Sequence, residues 1–300
     1  MIEKLENNTK KIQKCFKVAF AGLPNAGKSS LTNAFVGEKI SIITPKVQTT
    51  RDIIKCVYVE DNTQIIIIDT PGLFIPKKDR LLERKIVKNA WNGIQEADVV
   101  CIIIDSIEGV SERVKTIIND IEKKQDDFIF ILNKIDLVPK VKLLEMAKTL
   151  NDLYPNYKQL FMLSAMTGEN LNKLKNYLLE IAPERPWLFN NDEITDAPMK
   201  FLAAEITREK LFMELKEDLP YSVDVITEKW EEFKNGSIKI QQVIRVLKDS
   251  QKAIVIGKNG SMLKKVNIES RKEIEKLFGL KVHLYIFVKI ENKWIDEKEF

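Results

Sequence analysis

Eight consecutive residues, Gly22-Leu23-Pro24-Asn25-Ala26-Gly27-Lys28-Ser29, follow the pattern glycine, four residues, glycine, lysine, serine, which suits a loop that wraps phosphates with its backbone. Glycine lets the chain approach a polyanion closely, the Lys28 ammonium can neutralise outer phosphates, and the Ser29 hydroxyl can hold a Mg²⁺ ion. Ser30 leads into Leu31-Thr32-Asn33-Ala34-Phe35, the first turns of a helix whose positive end faces the same spot. A second group, Asp69-Thr70-Pro71-Gly72, ends an apolar run. It offers a carboxylate to the same cation and the Gly72 N–H to a terminal phosphate, with Leu73 next in line. A strand-ending turn explains Asp69 by itself, but its separation from Lys28 leaves room for a helix, a loop and a hairpin that bring the two together. In a third group, Asn133-Lys134-Ile135-Asp136, the aspartate can accept both the ring N–H and the exocyclic amine of guanine, a donor pair adenine lacks. The stem of Lys134 would lie along the base. Ser164-Ala165-Met166 comes last, a turn whose backbone N–H can reach the guanine carbonyl.

Short apolar segments carry these groups. Phe16 to Ala21, Ile53 to Val59, Gln64 to Ile68, Asp98 to Ile104, Phe128 to Leu132 and residues 159–163 read as strands. Helical spacing follows Lys28 and recurs over Leu81 to Gln95, Val110 to Lys124, residues 140–152 and from Leu171 onward. Such alternation predicts an α/β domain of the P-loop NTPase type, its mostly parallel sheet covered on both faces and its ligand at the carboxyl ends of the strands. Gly37 to Arg51 lacks either period and contains Thr44-Pro45 and Gln48-Thr49-Thr50-Arg51-Asp52, so an exposed loop is expected there.

With 300 residues, 44% of them hydrophobic and 31% charged, the chain can build two ordinary cores and is neither disordered nor fibrous. The longest purely aliphatic run, Ile65 to Ile68, is far short of a bilayer span, and Met1 to Lys14 lacks the apolar centre of a secretory signal, so a cytoplasmic protein is expected. Cys15, Cys56 and Cys101 are odd in number and widely spaced, which argues against a disulfide framework or a zinc site and for ordinary thiols.

Residues 1–14 form a polar extension, 15–182 the nucleotide domain, 183–200 a linker with Pro183, Pro186 and Pro198, and 201–300 a second unit. That unit begins with a helix-like stretch from Phe201 to Lys216. Val223 and Val225, then Ile238, Ile240, Ile244 and Val246, then Val282 to Ile290 follow as one-sided strands of a small α+β domain. His283 lies on the face opposite the aliphatic row, beside Tyr285 and Phe287, with no catalytic partner signalled. The net charge of +4 is concentrated between Lys252 and Lys281, where eight Lys or Arg face three Glu. Within that segment Ile254-Val255-Ile256 reads as a strand end leading into Gly257-Lys258-Asn259-Gly260, followed by a helix from Met262 to Phe278 that carries Lys264 and Lys265. A Gly-x-x-Gly tetrad is common, and a solvated helix cap would explain it. In this basic setting it points to a close backbone approach to phosphates.

Taken together, GLPNAGKS, QTTR, DTPG, NKID and SAM occur in the order of the guanine-nucleotide motifs of the Ras-like translation-factor class of GTPases. They resemble most closely the Era branch, over about residues 15 to 182. Residues 200 to 292 resemble a type II KH domain, whose tetrad loop clamps single-stranded RNA. The resemblance implies GTP and GDP as ligands, Mg²⁺ held by Ser29, Asp69 and Thr50 with Thr49 as the alternative, and Lys28, Thr50 and Gly72 acting in hydrolysis. Leu73 stands where Ras-type enzymes carry a water-orienting glutamine, so unaided turnover is expected to be slow. Asn25 stands where related GTPases hold a K⁺ ion, although a turn preference explains it equally well. The resemblance further implies binding to the 3′ region of 16S ribosomal RNA during assembly of the small (30S) ribosomal subunit, peripheral contact with the membrane, and a monomer. An ATPase or kinase using the phosphate loop, and a non-enzymatic RNA chaperone with a structural nucleotide, are the alternatives.

Overall fold

Three strands, β3 (Thr63–Asp69), β4 (Val99–Asp105) and β5 (Phe128–Asn133), are almost wholly buried runs of isoleucine, valine and phenylalanine, as expected of strands covered on both faces. With β1 (Lys14–Ala21), β2 (Ile54–Glu60) and β6 (Leu160–Met162) they form a six-stranded sheet in the order β2-β3-β1-β4-β5-β6. Only β2 runs antiparallel. The computed structural model describes residues 12–46, 49–77, 80–216, 219–291 and 294. Most of the expected N-terminal extension, Gln48 and the tail beyond Trp294 lie outside the described residues.

Helices α1 (Lys28–Val36), α2 (Leu81–Glu96), α3 (Glu112–Glu122), α4 (Lys140–Leu153) and α5 (Leu171–Ile181) cover the sheet. Phe20, Phe35, Ile65 and Leu174 pack on one side, and Ala21, Ile68, Ile104, Ile118 and Leu150 on the other. The chain passes from β1 through β2 to β3 on one side, and the next crossover, from β3 through α2, returns past β1 to β4 on the other, so the sheet changes winding direction at β1. A crevice forms at such a switch point, and the Gly22–Ser29 loop lies at it. Cys15, Cys56 and Cys101 are free and buried, and burial pushes each thiol up, which makes them inert core residues.

The segment read as a linker is tied along the first domain. Arg185 forms a bidentate pair with Asp98, Gln64 accepts from the Leu188 and Phe189 N–H groups, and the Trp187 indole donates to the Asn62 carbonyl. Farther on, residues 194–196 run beside β2: the Val57 N–H donates to Ile194 and the Asp196 N–H to Lys55.

The second domain packs α6 (Met199–Glu214) and α8 (Ser261–Phe278) on a three-stranded sheet of β7 (Val223–Glu232), β8 (Ile238–Val246) and β9 (Val282–Ile290). β7 and β8 are antiparallel, whereas β8 and β9 are parallel. Between the parallel strands lies α7 (Asp249–Ile256), which corrects one expectation: Ile254-Val255-Ile256 ends a helix rather than a strand. The Gln251 side chain accepts from the Leu247 and Lys248 N–H groups and caps the helix start. Only Val255 of the aliphatic trio is buried, so one face packs while local β preference is overridden. No helix among the described residues is long and apolar enough to cross a membrane. His283 is exposed and meets Phe233 edge to face, as a surface residue.

Candidate functional site

The phosphate loop turns directly from β1 into α1, with Gly27 at the helix start in the left-handed region at φ 94°. A Cβ added there would stand 2.2 Å from the Asn133 side-chain nitrogen, so glycine is required. The Lys28 ammonium lies inside the loop and donates to the Leu23 carbonyl at 2.8 Å and the Gly22 carbonyl at 3.3 Å. Burial draws its pKa down to about 8, with Asp69 opposing, and phosphate oxygens beside it would favour the charged form further.

Asp69 closes β3 with no exposure, and neither carboxylate oxygen has a hydrogen-bond partner. Burial raises its pKa, while the Lys28 charge pulls the other way. In the same region Ser29 Oγ and Thr50 Oγ1 meet at 2.8 Å. An unsatisfied buried carboxylate next to two converging hydroxyls suits a hard cation that also takes phosphate and water oxygens. Thr49 turns elsewhere, its hydroxyl 2.6 Å from that of Thr44 and donating to the Lys46 carbonyl at 2.8 Å.

The Leu73 N–H donates to the Gly22 carbonyl at 3.0 Å, which draws the Asp69–Gly72 turn onto the phosphate loop. Thr70 is fixed through its hydroxyl to the Phe20 carbonyl. The Leu73 side chain is 2% exposed and packs in the core with Leu23, Ala90 and Ile94, so it cannot face a reacting water.

Asn133 joins the two ends of the site. Its Nδ2 donates to the Ala26 carbonyl at 2.9 Å and its Oδ1 accepts from the Ala165 N–H at 3.0 Å. Lys134 has a left-handed backbone, and its ammonium donates to the Asn25 carbonyl at 2.8 Å and to Asp105 Oδ2 at 2.6 Å. Ile135 is buried and anchors a turn of 3₁₀ helix on which Asp136 is exposed. Ser164 is buried and accepts from the Thr167 N–H, whereas Met166 is 83% exposed. A cavity of 480 Å³ runs past Pro24, Asn25, Lys28, Ser29, Thr50 and Gly72 and reaches Met213 of the second domain.

In the second domain, Gly257, Asn259 and Gly260 all have positive φ, which turns the tetrad loop sharply between α7 and α8. Lys258, Asn259 and Lys264 flank the positive end of α8 at the surface. Lys265 is engaged by Glu214 of α6 at 2.7 Å, an exposed pair.

A family model described as a 50S ribosome-binding GTPase matches residues 17–134, and a KH domain model matches residues 218–295. GTPase Era of Rickettsia bellii is 46% identical over 294 residues, covering 97% of this chain and 98% of its own. GTPase Era of Bradyrhizobium diazoefficiens is 44% identical over 286 residues, covering 95% and 92%. The chain belongs to the Era family of GTPases. A crystal structure of Era in complex with MgGDPNP and nucleotides 1506–1542 of 16S ribosomal RNA matches with a TM-score of 0.89 and 36% identity, over 94% of this chain and 95% of that one. A point variant of Aquifex aeolicus Era bound to GDP.AlF4⁻ matches with the same TM-score and identity, over 94% and 96%.

The Era-family chain is therefore a GTPase with a KH domain, and the ATPase, kinase and non-enzymatic alternatives fall away. Some residues at the site carried no signal in the sequence. Asp105, which holds Lys134, is one more strand-ending aspartate, and its only clue was that it closes the strand next to β5. Met213 and the partners of Arg51 come from the second domain, so no local spacing points to them.

Proposed function

We propose that this Era-family GTPase is a nucleotide-controlled binder of the 3′ region of 16S ribosomal RNA that acts in assembly of the small ribosomal subunit. The carrying observation is that one chain, with both the phosphate loop and the tetrad loop built, superposes over nearly its whole length on an Era holding MgGDPNP and 16S nucleotides together. The 50S description belongs to a family model that matches the nucleotide domain alone.

In the proposed mechanism the N–H groups at the start of α1 and the Lys28 ammonium bind the outer phosphates. Ser29, Thr50 and Asp69 would hold Mg²⁺, which when bound would offset the negative charge on the phosphate oxygens during attack of water on the terminal phosphoryl group. Thr50 is preferred to Thr49 because its hydroxyl already meets Ser29. Gly72 presents its N–H to the terminal phosphate, and Asp136 and Lys134 read the base. With Leu73 buried, orienting water falls to backbone groups and to a cation at Asn25. GTP turnover is accordingly expected to run about tenfold or more faster in K⁺ than in Na⁺, and Asn25→Ala to remove the difference. Equal rates in the two salts would leave Asn25 as a turn residue, whose side chain donates to the Pro45 carbonyl.

The test of the whole reading is a titration of an oligonucleotide matching the 16S 3′ end against the GTP-analogue and GDP forms. Affinities differing by about fivefold or more are expected. Equal affinity in both forms, or no preference over a scrambled sequence, would overturn it. The same reading makes the protein a cytoplasmic monomer with peripheral contact at the inner face of the membrane.

A further inference from the structure

The loop that carries Thr50 is held at both ends by its own domain. Asn33 Oδ1 accepts from the Ile40 and Ser41 N–H groups, and Asn89 Nδ2 donates to the Arg51 carbonyl. The KH domain grips it as well, near its start, at its middle and at its end. Glu209 of α6, 3% exposed, accepts the Ile43 N–H at 2.9 Å and the Lys39 ammonium at 2.7 Å. The Arg51 guanidinium, 6% exposed, donates to the carbonyls of Val223 and Pro220, each at 3.0 Å. Asp224 lies 3.7 Å away, and the Phe212 and Trp294 rings flank the cation at 5.4 and 5.9 Å.

Arg51 immediately follows Thr50 in the chain, so the two Cα atoms are about 3.8 Å apart. A buried guanidinium is tolerated only while its partners remain in register, and burial, then the nearby Arg208 charge, already draws its pKa down to about 10. If the KH domain shifted relative to the first domain, Arg51 would lose the Val223 and Pro220 carbonyls and move into water. Thr50 would move with it, away from Ser29. Met213, on the same helix as Glu209 and lining the nucleotide cavity, places this part of the KH domain directly against the site.

We propose that Arg51 is a positioning residue for GTP hydrolysis, and that with Glu209 it makes the KH domain the holder of the Thr50 loop. The proposal deepens the function given above, since it rests on Thr50 serving the Mg²⁺ site. Its consequence is reciprocal: whatever moves the KH domain alters hydrolysis, and GTP with Mg²⁺ stiffens the KH elements that grip Arg51.

The experiment uses the full chain and single-turnover GTP hydrolysis over a range of Mg²⁺ concentrations, beside GDP titrations. Arg51→Met and Glu209→Ala are expected to raise the half-saturating Mg²⁺ concentration by about fivefold or more and to slow hydrolysis, with GDP affinity kept within about twofold. Glu209→Gln, which keeps an acceptor for the Ile43 N–H, is expected to stay near the parent. Parental hydrolysis in Arg51→Met and Glu209→Ala would overturn the proposal, as would equal losses of GTP and GDP affinity with a lowered Tm, the mark of a merely structural role. Hydrogen exchange of residues 205–215 and 219–226 in the unaltered chain provides the second measurement. Slower exchange with a GTP analogue and Mg²⁺ than with GDP supports the proposal, and unchanged exchange overturns it even if a variant fails to fold. A parent that bound neither GTP nor GDP would instead defeat the function on which the proposal stands.

Discussion

An Asp136→Asn variant is expected to lose GTP affinity by about 100-fold or more and to bind xanthosine triphosphate in its place. Asp136 is exposed on a turn fixed at its base by buried Ile135 and by the left-handed backbone of Lys134, so its carboxylate is positioned without being paired away in the core. A carboxylate there accepts two N–H donors of guanine, and each such charged hydrogen bond contributes about 1.5–3 kcal/mol. Asparagine keeps one acceptor but turns a donor toward the exocyclic amine. Xanthine carries a carbonyl at that position and restores the match. Competition of the two triphosphates for the variant checks this, and unchanged guanine selectivity would mean that another group reads the base. Asn133 is not a substitute test, because its side chain ties the phosphate loop to Ala165 and its loss would loosen the whole site.

Gly257→Asp is expected to remove RNA binding by about 100-fold or more while GTP affinity stays within about twofold. Gly257 has φ 74°, and a Cβ added there would stand 2.9 Å from both the Met262 backbone nitrogen and its Cβ. The loop would have to reshape, and it would present a carboxylate where phosphates approach. Like charges 4 Å apart at an effective dielectric near 20 repel by about 4 kcal/mol. The nucleotide loops lie in the other domain, so GTP binding measured on the same preparation shows that the first domain is intact. RNA affinity retained in full would show that the tetrad only joins α7 to α8.

How much of this was legible in the sequence depends on how local each cause is. The phosphate loop, Asp69 and Asn133 to Asp136 were readable because each ends an apolar strand whose burial fixes where its last residue points. Ile254 to Ile256 misled because three β-branched or aliphatic residues look like a strand, while the cap that makes them a helix sits upstream at Gln251. Thr49 and Thr50 could not be told apart, since which hydroxyl faces Ser29 depends on a loop conformation held from two domains. Arg51 looked like one more polar loop residue. Its partners, Pro220 and Val223, are about 170 positions away and contribute only main-chain carbonyls, which no side-chain pattern encodes. The prolines and polar residues of the linker do not reveal that Gln64 and Asp98 of the first domain hold it, because both partners lie far away in the sequence.

That docked linker has a bearing on how the molecule avoids its own kind. β2 terminates the six-stranded sheet, and a bare outer strand is a template on which another chain can polymerise. Residues 194–196 occupy part of that template, through the Val57 N–H and the carbonyl of Lys55, before a stranger can. A nucleotide domain cut after residue 182 would therefore shed the KH domain and also uncover an adhesive rim, so the linker doubles as a guard against aggregation.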